Sequence, residues 1–268
     1  MVIPIHDVNP VRRTPIVTYV LIAINVVVFV ASPVAFAWVD GTTVKEACEQ
    51  DAFFREWGAI PRELLTNEPL GPQQIEVPTE QGPVPCPVVR TPDKLPLLSA
   101  LTAMFLHGGW GHLAGNMLYL YVFGNNVEDR LGRVRFLLFY LAWGLLATYG
   151  YAVINPDSVD TLVGASGAIA GVLGAYLVMF PRARVWSLVP FLFFIPVRLP
   201  AWIVLGLWFL LQWIYSVGGG LSTGAGVAYA AHVVGFVSGL IFGAMVGPPR
   251  QPPRRIVPYG APPYGGAP

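Results

Sequence analysis

The sequence predicts an all-α integral membrane bundle of six transmembrane helices with a long extracytoplasmic first loop. Three observations carry this reading. Of the 268 residues, 54% are hydrophobic and 12% charged, against about 45–50% and about 25% in ordinary soluble domains, and mean hydropathy is +0.59. The apolar residues gather into runs close to the ~20 residues that a helix needs to cross a bilayer. Arginines cluster beside alternate ends of those runs, the asymmetry that orients membrane proteins. The net charge of +1 offers no basic footprint for nucleic acid.

Taken in order, residues 1–15 form a cytoplasmic N-terminus and the membrane domain occupies 16–247. The first apolar run, 16–39, is too long for a signal-peptide core and lacks a convincing cleavage site, so it reads as a span. The extended first loop, 40–95, holds ten acidic residues, many prolines and both cysteines, Cys48 and Cys86. An outward-facing loop lies in oxidising territory, so a Cys48–Cys86 disulfide is the expected state, with two free thiols as the alternative. The second span, 111–127, is interrupted by His112 and Asn116, and the third covers 136–155. The fourth is 162–181, the fifth 200–217 and the sixth 226–247. Between the fourth and fifth, Pro190 and Pro196 bracket an apolar stretch, 185–197, that reads as re-entrant or interfacial. The tail, 248–268, is rich in Pro, Gly and Tyr and reads as disordered and cytoplasmic.

With the N-terminus in the cytoplasm, Arg12 and Arg13 fall inside, as do Arg130, Arg133 and Arg135, then Arg182, Arg184 and Arg198, then Arg250, Arg254 and Arg255. The remaining basic residues, Lys45, Arg55, Arg62, Arg90 and Lys94, all lie in the long loop, where the charge rule loses force. Both termini are therefore expected in the cytoplasm, with the chain crossing the cell membrane six times.

The polar residues within the spans carry the chemistry. Ser166, in the run LVGASGAIAGVLGAYLVMF, is expected about one turn below the outer end of the fourth span, and His232 at similar depth in the sixth. An ionisable group inside a span is costly and is by default a candidate for function. Gly167 and Gly171 on the fourth span, and Ala231, Gly235, Gly239, Gly243 and Gly247 on the sixth, are spaced four apart. Such small-residue stripes let two helices approach closely, as a Ser–His hydrogen bond requires. The competing reading is that the glycines serve packing alone and Ser166 bonds to its own helix. On the second span His112 and Asn116 share one face near the outer end. Both can donate hydrogen bonds to a developing oxyanion, together with the Ser166 amide. His107, at the mouth of that helix, is a secondary contributor.

These residues resemble the rhomboid family of intramembrane serine proteases over most of the chain from Leu101 to Gly247. The motifs are H-x-x-x-x-H-x-x-x-N at His107, His112 and Asn116, G-x-S-G at Gly164 to Gly167, and A-H-x-x-G-x-x-x-G from Ala231 through Gly235 to Gly239. The resemblance implies Ser166 as nucleophile, His232 as general base, and His112, Asn116 and the Ser166 amide as oxyanion hole. It implies a structural role for Glu128, in VEDRLG after the second span. Two positions depart from the family pattern. Leu98-Ser99 stands where the family often has Trp-Arg, and Ala170 stands where it commonly has an aromatic beneath the catalytic histidine.

The expected activity is therefore that of a serine endopeptidase acting on membrane-spanning protein helices within the lipid bilayer, with no cofactor and no metal. The sequence carries no signal of oligomeric state. An inactive rhomboid-like helix-binding protein would have lost Ser166 or His232, and both are present. A metalloprotease using His107, His112 and His232 lacks the usual His pair spaced by four with an intervening Glu. A transporter would show repeats and midplane polar groups, whereas these groups lie near one face.

Overall fold

A computed structural model describes residues 3–36, 43–72, 74–79, 82–190, 193–217 and 228–247. The tail 248–268, the connection 218–225 and the expected ends of the first and sixth spans at 37–39 and 226–227 lie outside them. The chain is mostly helical. Helix α1 (Ile16–Ala31) is followed in the first loop by α2 (Val44–Trp57) and α3 (Pro61–Thr66), and after the loop by α4 (Pro96–Thr102). Helix α5 (Trp110–Tyr119) continues through a π-helical segment, Leu120–Gly124, into α6 (Asn125–Leu131). Then come α7 (Arg133–Ile154), α8 (Ser166–Met179), α9 (Ala201–Val217) and α10 (Tyr229–Val246). Among the described residues, α7 and α10 are long and apolar enough to cross a membrane, whereas α1, α8, α9 and Pro96–Phe105 are shorter apolar helices.

The all-α expectation is corrected by two small antiparallel sheets. In one, β1 (Ile3–Asp7) pairs with β4 (Arg184–Val189), which pairs with β5 (Ile195–Pro200). In the other, β2 (Glu76–Thr79) pairs with β3 (Gly82–Pro85). The stretch 185–197, expected to be re-entrant or interfacial, is thus mostly a β-hairpin. Its first strand buries Val185, Ser187 and Val189 on alternate residues, a period of two too short to stand out beside neighbouring apolar helices.

Strand β1 ties the N-terminus to the bundle. The Asp7 carboxylate is buried and accepts hydrogen bonds from Asn126 Nδ2 (2.7 Å) and Tyr176 Oη (2.7 Å). Burial outweighs those bonds and raises its pKa from 3.8 to about 6. The folded state therefore holds a proton that the unfolded chain has released, and this contribution to stability is lost as pH rises from about 4 through about 6. Hydrogen exchange of the Ile3–Asp7 amides, corrected for intrinsic rate, is expected to show weaker protection at pH 7 than at pH 5. Asp7→Asn should flatten that difference.

The N-terminus of α1 has no side-chain cap of its own. Glu128 supplies one from α6, accepting from Val17 N (3.0 Å), Thr18 N (2.7 Å) and Thr18 Oγ1 (2.8 Å). Orphan amides at a helix start need such acceptors, and a carboxylate also matches the local dipole.

The first loop is built rather than loose. Cys48 and Cys86 are disulfide-bonded, and Thr43 and Glu46 form a reciprocal cap on α2. Lys94 Nζ meets Glu63 Oε2 at 2.6 Å, both side chains buried. Ala59 and Leu162 exchange backbone hydrogen bonds of 3.1 and 2.7 Å, so this loop braces the segment that leads into α8. Ser99, in the place of the family's arginine, is buried and donates to Pro96 O at 2.7 Å.

The core lies where α7, α8 and α10 meet. A methyl added at Gly235 or Gly239 would fall on the carbonyl of Gly167 or Gly171 respectively, and one at Gly243 would lie 3.1 Å from Ala175. Each step of four on α10 thus meets a step of four on α8, and the two helices run parallel in register.

Candidate active site

That register places the two candidate residues together. Ser166 is the first residue of α8, one before Gly167, and His232 lies three before Gly235. Ser166 Oγ is 2.7 Å from His232 Nε2. The helix of the fourth expected span begins at Ser166 and not at 162, because residues 161–164 are non-helical and engaged with Ala59 and Ala103. At a helix start the Ser166 amide has no intrahelical partner, which leaves it free to donate into the site.

Gly164 has φ +123°, a conformation that disfavours a side chain. A Cβ there would also sit 2.9 Å from His112 Cε1 and 3.0 Å from Nε2. The glycine therefore lets the His112 ring reach the serine loop. Gly108 N donates to His112 Nδ1 across a long 3.5 Å, which directs the Nε2 side of the ring toward Gly164. Asn116 is buried one turn further along α5. His107 is buried beside His112, ring centroids 5.2 Å apart and edge-on.

A cavity of about 580 Å³ joins these groups, lined among others by His112, Asn116, Ser166, Trp208, Gln212 and His232. Its volume is in the range of ligand-binding clefts. Glu128, Cys48 and Cys86 lie away from it, in the α1 cap and the first loop. Among the described residues, no three His, Cys, Asp or Glu converge as metal ligands.

The sequence reading missed the partners of His232 on α9. Gln212 Oε1 lies 2.8 Å from His232 Nδ1, and the Trp208 ring is 6.0 Å from the imidazole at 35°. Tyr229 meets the ring edge-on at 6.3 Å. The Ala170 methyl faces Gly235 of α10, where a Cβ would lie 3.2 Å from it, and the ring beside the histidine is Trp208 from α9. One signal was legible in advance: Gln212 is polar within the otherwise apolar run AWIVLGLWFLLQWIYSV, a costly placement in lipid.

The family model described as Rhomboid domain matches residues 96–249. The chain is 31% identical over 150 residues to Rhomboid protein 1, mitochondrial, of Saccharomyces cerevisiae, covering 54% of this chain and 41% of that protein. It is 42% identical over 80 residues to Putative rhomboid protease YdcA of Bacillus subtilis, covering 30% and 39%. It is 47% identical over 77 residues to Rhomboid protease GluP of the same organism, covering 29% and 15%. The matched stretches span about two fifths or less of these relatives.

Proposed function

The chain belongs to the rhomboid family, and from that premise we propose that it is an intramembrane serine endopeptidase that hydrolyses peptide bonds in or near transmembrane helices of membrane proteins. The observation that carries this reading is the 2.7 Å approach of Ser166 Oγ to His232 Nε2 across two parallel helices.

In this reading His232 Nε2 takes the hydroxyl proton as Ser166 Oγ attacks the scissile carbonyl. The oxyanion is met by Asn116, His112 and the Ser166 amide. The tetrahedral intermediate collapses as the C–N bond breaks, and His232 delivers the proton to the leaving amine. Water from the cavity then attacks the acyl-enzyme with His232 again as base, releasing the acid and restoring Ser166. Asn116→Ala is expected to lower kcat about 10²- to 10³-fold with little change in thermal unfolding, as measured on a reconstituted transmembrane substrate.

The same reading gives six membrane crossings within 16–247, a cytoplasmic N-terminus at 1–15, a cytoplasmic tail at 248–268 and residence in the cell membrane. Helix α8 supports the depth of the site. Its 14 residues rise about 21 Å, roughly 9 Å short of a hydrocarbon core of about 30 Å. With its inner end at the cytoplasmic surface, Ser166 sits below the outer one. A substrate helix must unwind to present its bonded amides, and glycines crowding Ser166 favour a small residue before the cleaved bond.

The test is labelling with a fluorophosphonate probe in proteoliposomes. Wild type should label and Ser166→Ala should not, and EDTA should leave labelling and cleavage intact. A wild-type protein that folds but neither labels nor cleaves would make it a helix-binding relative without activity.

A further inference from the structure

The imidazole of His232 needs its proton on one particular nitrogen. To act as base at Nε2 it must be protonated at Nδ1, and the two tautomers of a free imidazole interconvert readily. In serine hydrolases generally a carboxylate on the far nitrogen settles this choice. The outer half of this bundle has none on α8, α9 or α10. It has Gln212, whose Oε1 lies 2.8 Å from Nδ1.

We infer that Gln212 is a positioning residue for His232: its amide oxygen accepts the Nδ1 proton, so that the Nε2 lone pair faces the Ser166 hydroxyl, while Trp208 of the same helix fixes the plane of the ring. An amide oxygen can only accept. Its bond to Nδ1 therefore requires the proton on that nitrogen and leaves Nε2, 2.7 Å from Ser166 Oγ, as acceptor. Gln212 and Trp208 are four apart and share one face of α9. They hold the imidazole by an edge and a face at once. Both are buried, Gln212 at 6% exposure, and an amide buried in an apolar helix is costly unless bonded. The ring pair Phe209–Phe236, stacked with centroids 4.6 Å apart, docks α9 onto α10 beside them. Base alignment thus depends on a third helix, in addition to the two that carry Ser166 and His232.

This inference rests on the proposed protease reading, and its test separates the two. In proteoliposomes, fluorophosphonate labelling and cleavage kinetics are compared for wild type, Gln212→Leu, Gln212→Glu and Ser166→Ala. Gln212→Leu keeps the volume and removes the acceptor. It should slow labelling and lower kcat about 10- to 100-fold with KM unchanged, and Gln212→Glu, which restores an acceptor, should recover most of the rate. Imidazole ¹⁵N spectra, with His232 assigned by difference against His232→Ala, should show the Nδ1-protonated tautomer in wild type and a mixture in Gln212→Leu. Wild-type labelling by Gln212→Leu, equal losses in Leu and Glu variants, or an Nε2-protonated ring in wild type would each overturn the inference. Labelling that persists in Ser166→Ala would instead overturn the dyad and leave the tautomer result to stand by itself.

Discussion

Ser166→Ala and His232→Ala are each expected to cut cleavage of a reconstituted transmembrane substrate by about 10⁴- to 10⁶-fold, and the double variant to be no worse than either. In the proposed protease, nucleophile and base act as a unit. Without the Oγ nothing attacks, and without Nε2 the hydroxyl keeps its proton. The residual rate comes from binding and from the oxyanion donors, which neither change removes. Because Ser166 is half-buried at a helix start, Ser166→Ala should leave thermal unfolding nearly unchanged, so the loss is chemical. Measurable turnover by either purified variant would dismiss the dyad.

Gly239→Ala should have the next largest effect, although it lies two turns from the chemistry. The added methyl would fall on the Gly171 carbonyl oxygen and come within 2.7 Å of its carbon and 2.8 Å of its Cα. All three are backbone atoms of α8 and cannot rotate aside. The helices must part, at a cost of about 1–3 kcal/mol or more. The same separation stretches the 2.7 Å Ser166–His232 bond, and a misplacement of about 1 Å costs about 10²-fold in rate. Activity and thermal midpoint should therefore fall together. Gly206→Ala on α9, where a Cβ meets nothing within 4 Å, serves as control and should leave activity intact. A Gly239→Ala protein with normal stability and turnover would show that the α8–α10 contact is not what holds the site.

Much of the site could be read from the sequence because its parts are costly where they stand. Ser166, His112, Asn116 and His232 are polar residues in apolar runs, and the glycine stripes announce which helices touch. The supports of His232 were less legible. Gln212 and Trp208 belong to α9, whose face toward α10 is set by packing, and a four-residue spacing of Trp and Gln carries no signal without its partner. The small sheets escaped for a different reason. Pairing of β1 with β4 joins segments some 180 residues apart, and hydrogen-bond partners at that separation leave no local pattern. The resemblance implied a structural role for Glu128, but its partners, the first amides of α1, became visible only across 110 residues.

From the order of its amino acids alone, the chain declared a mostly helical membrane protein and offered an expected orientation and a candidate serine and histidine, since hydropathy, arginine placement and residue type are local properties. The folded arrangement decided what locality cannot encode: that α8 starts at the serine itself, that the first loop braces that start through Ala59 and Leu162, and that a glutamine from α9 meets the far nitrogen of the imidazole. Those are contacts between distant segments, fixed by how helices and loops fill space against one another.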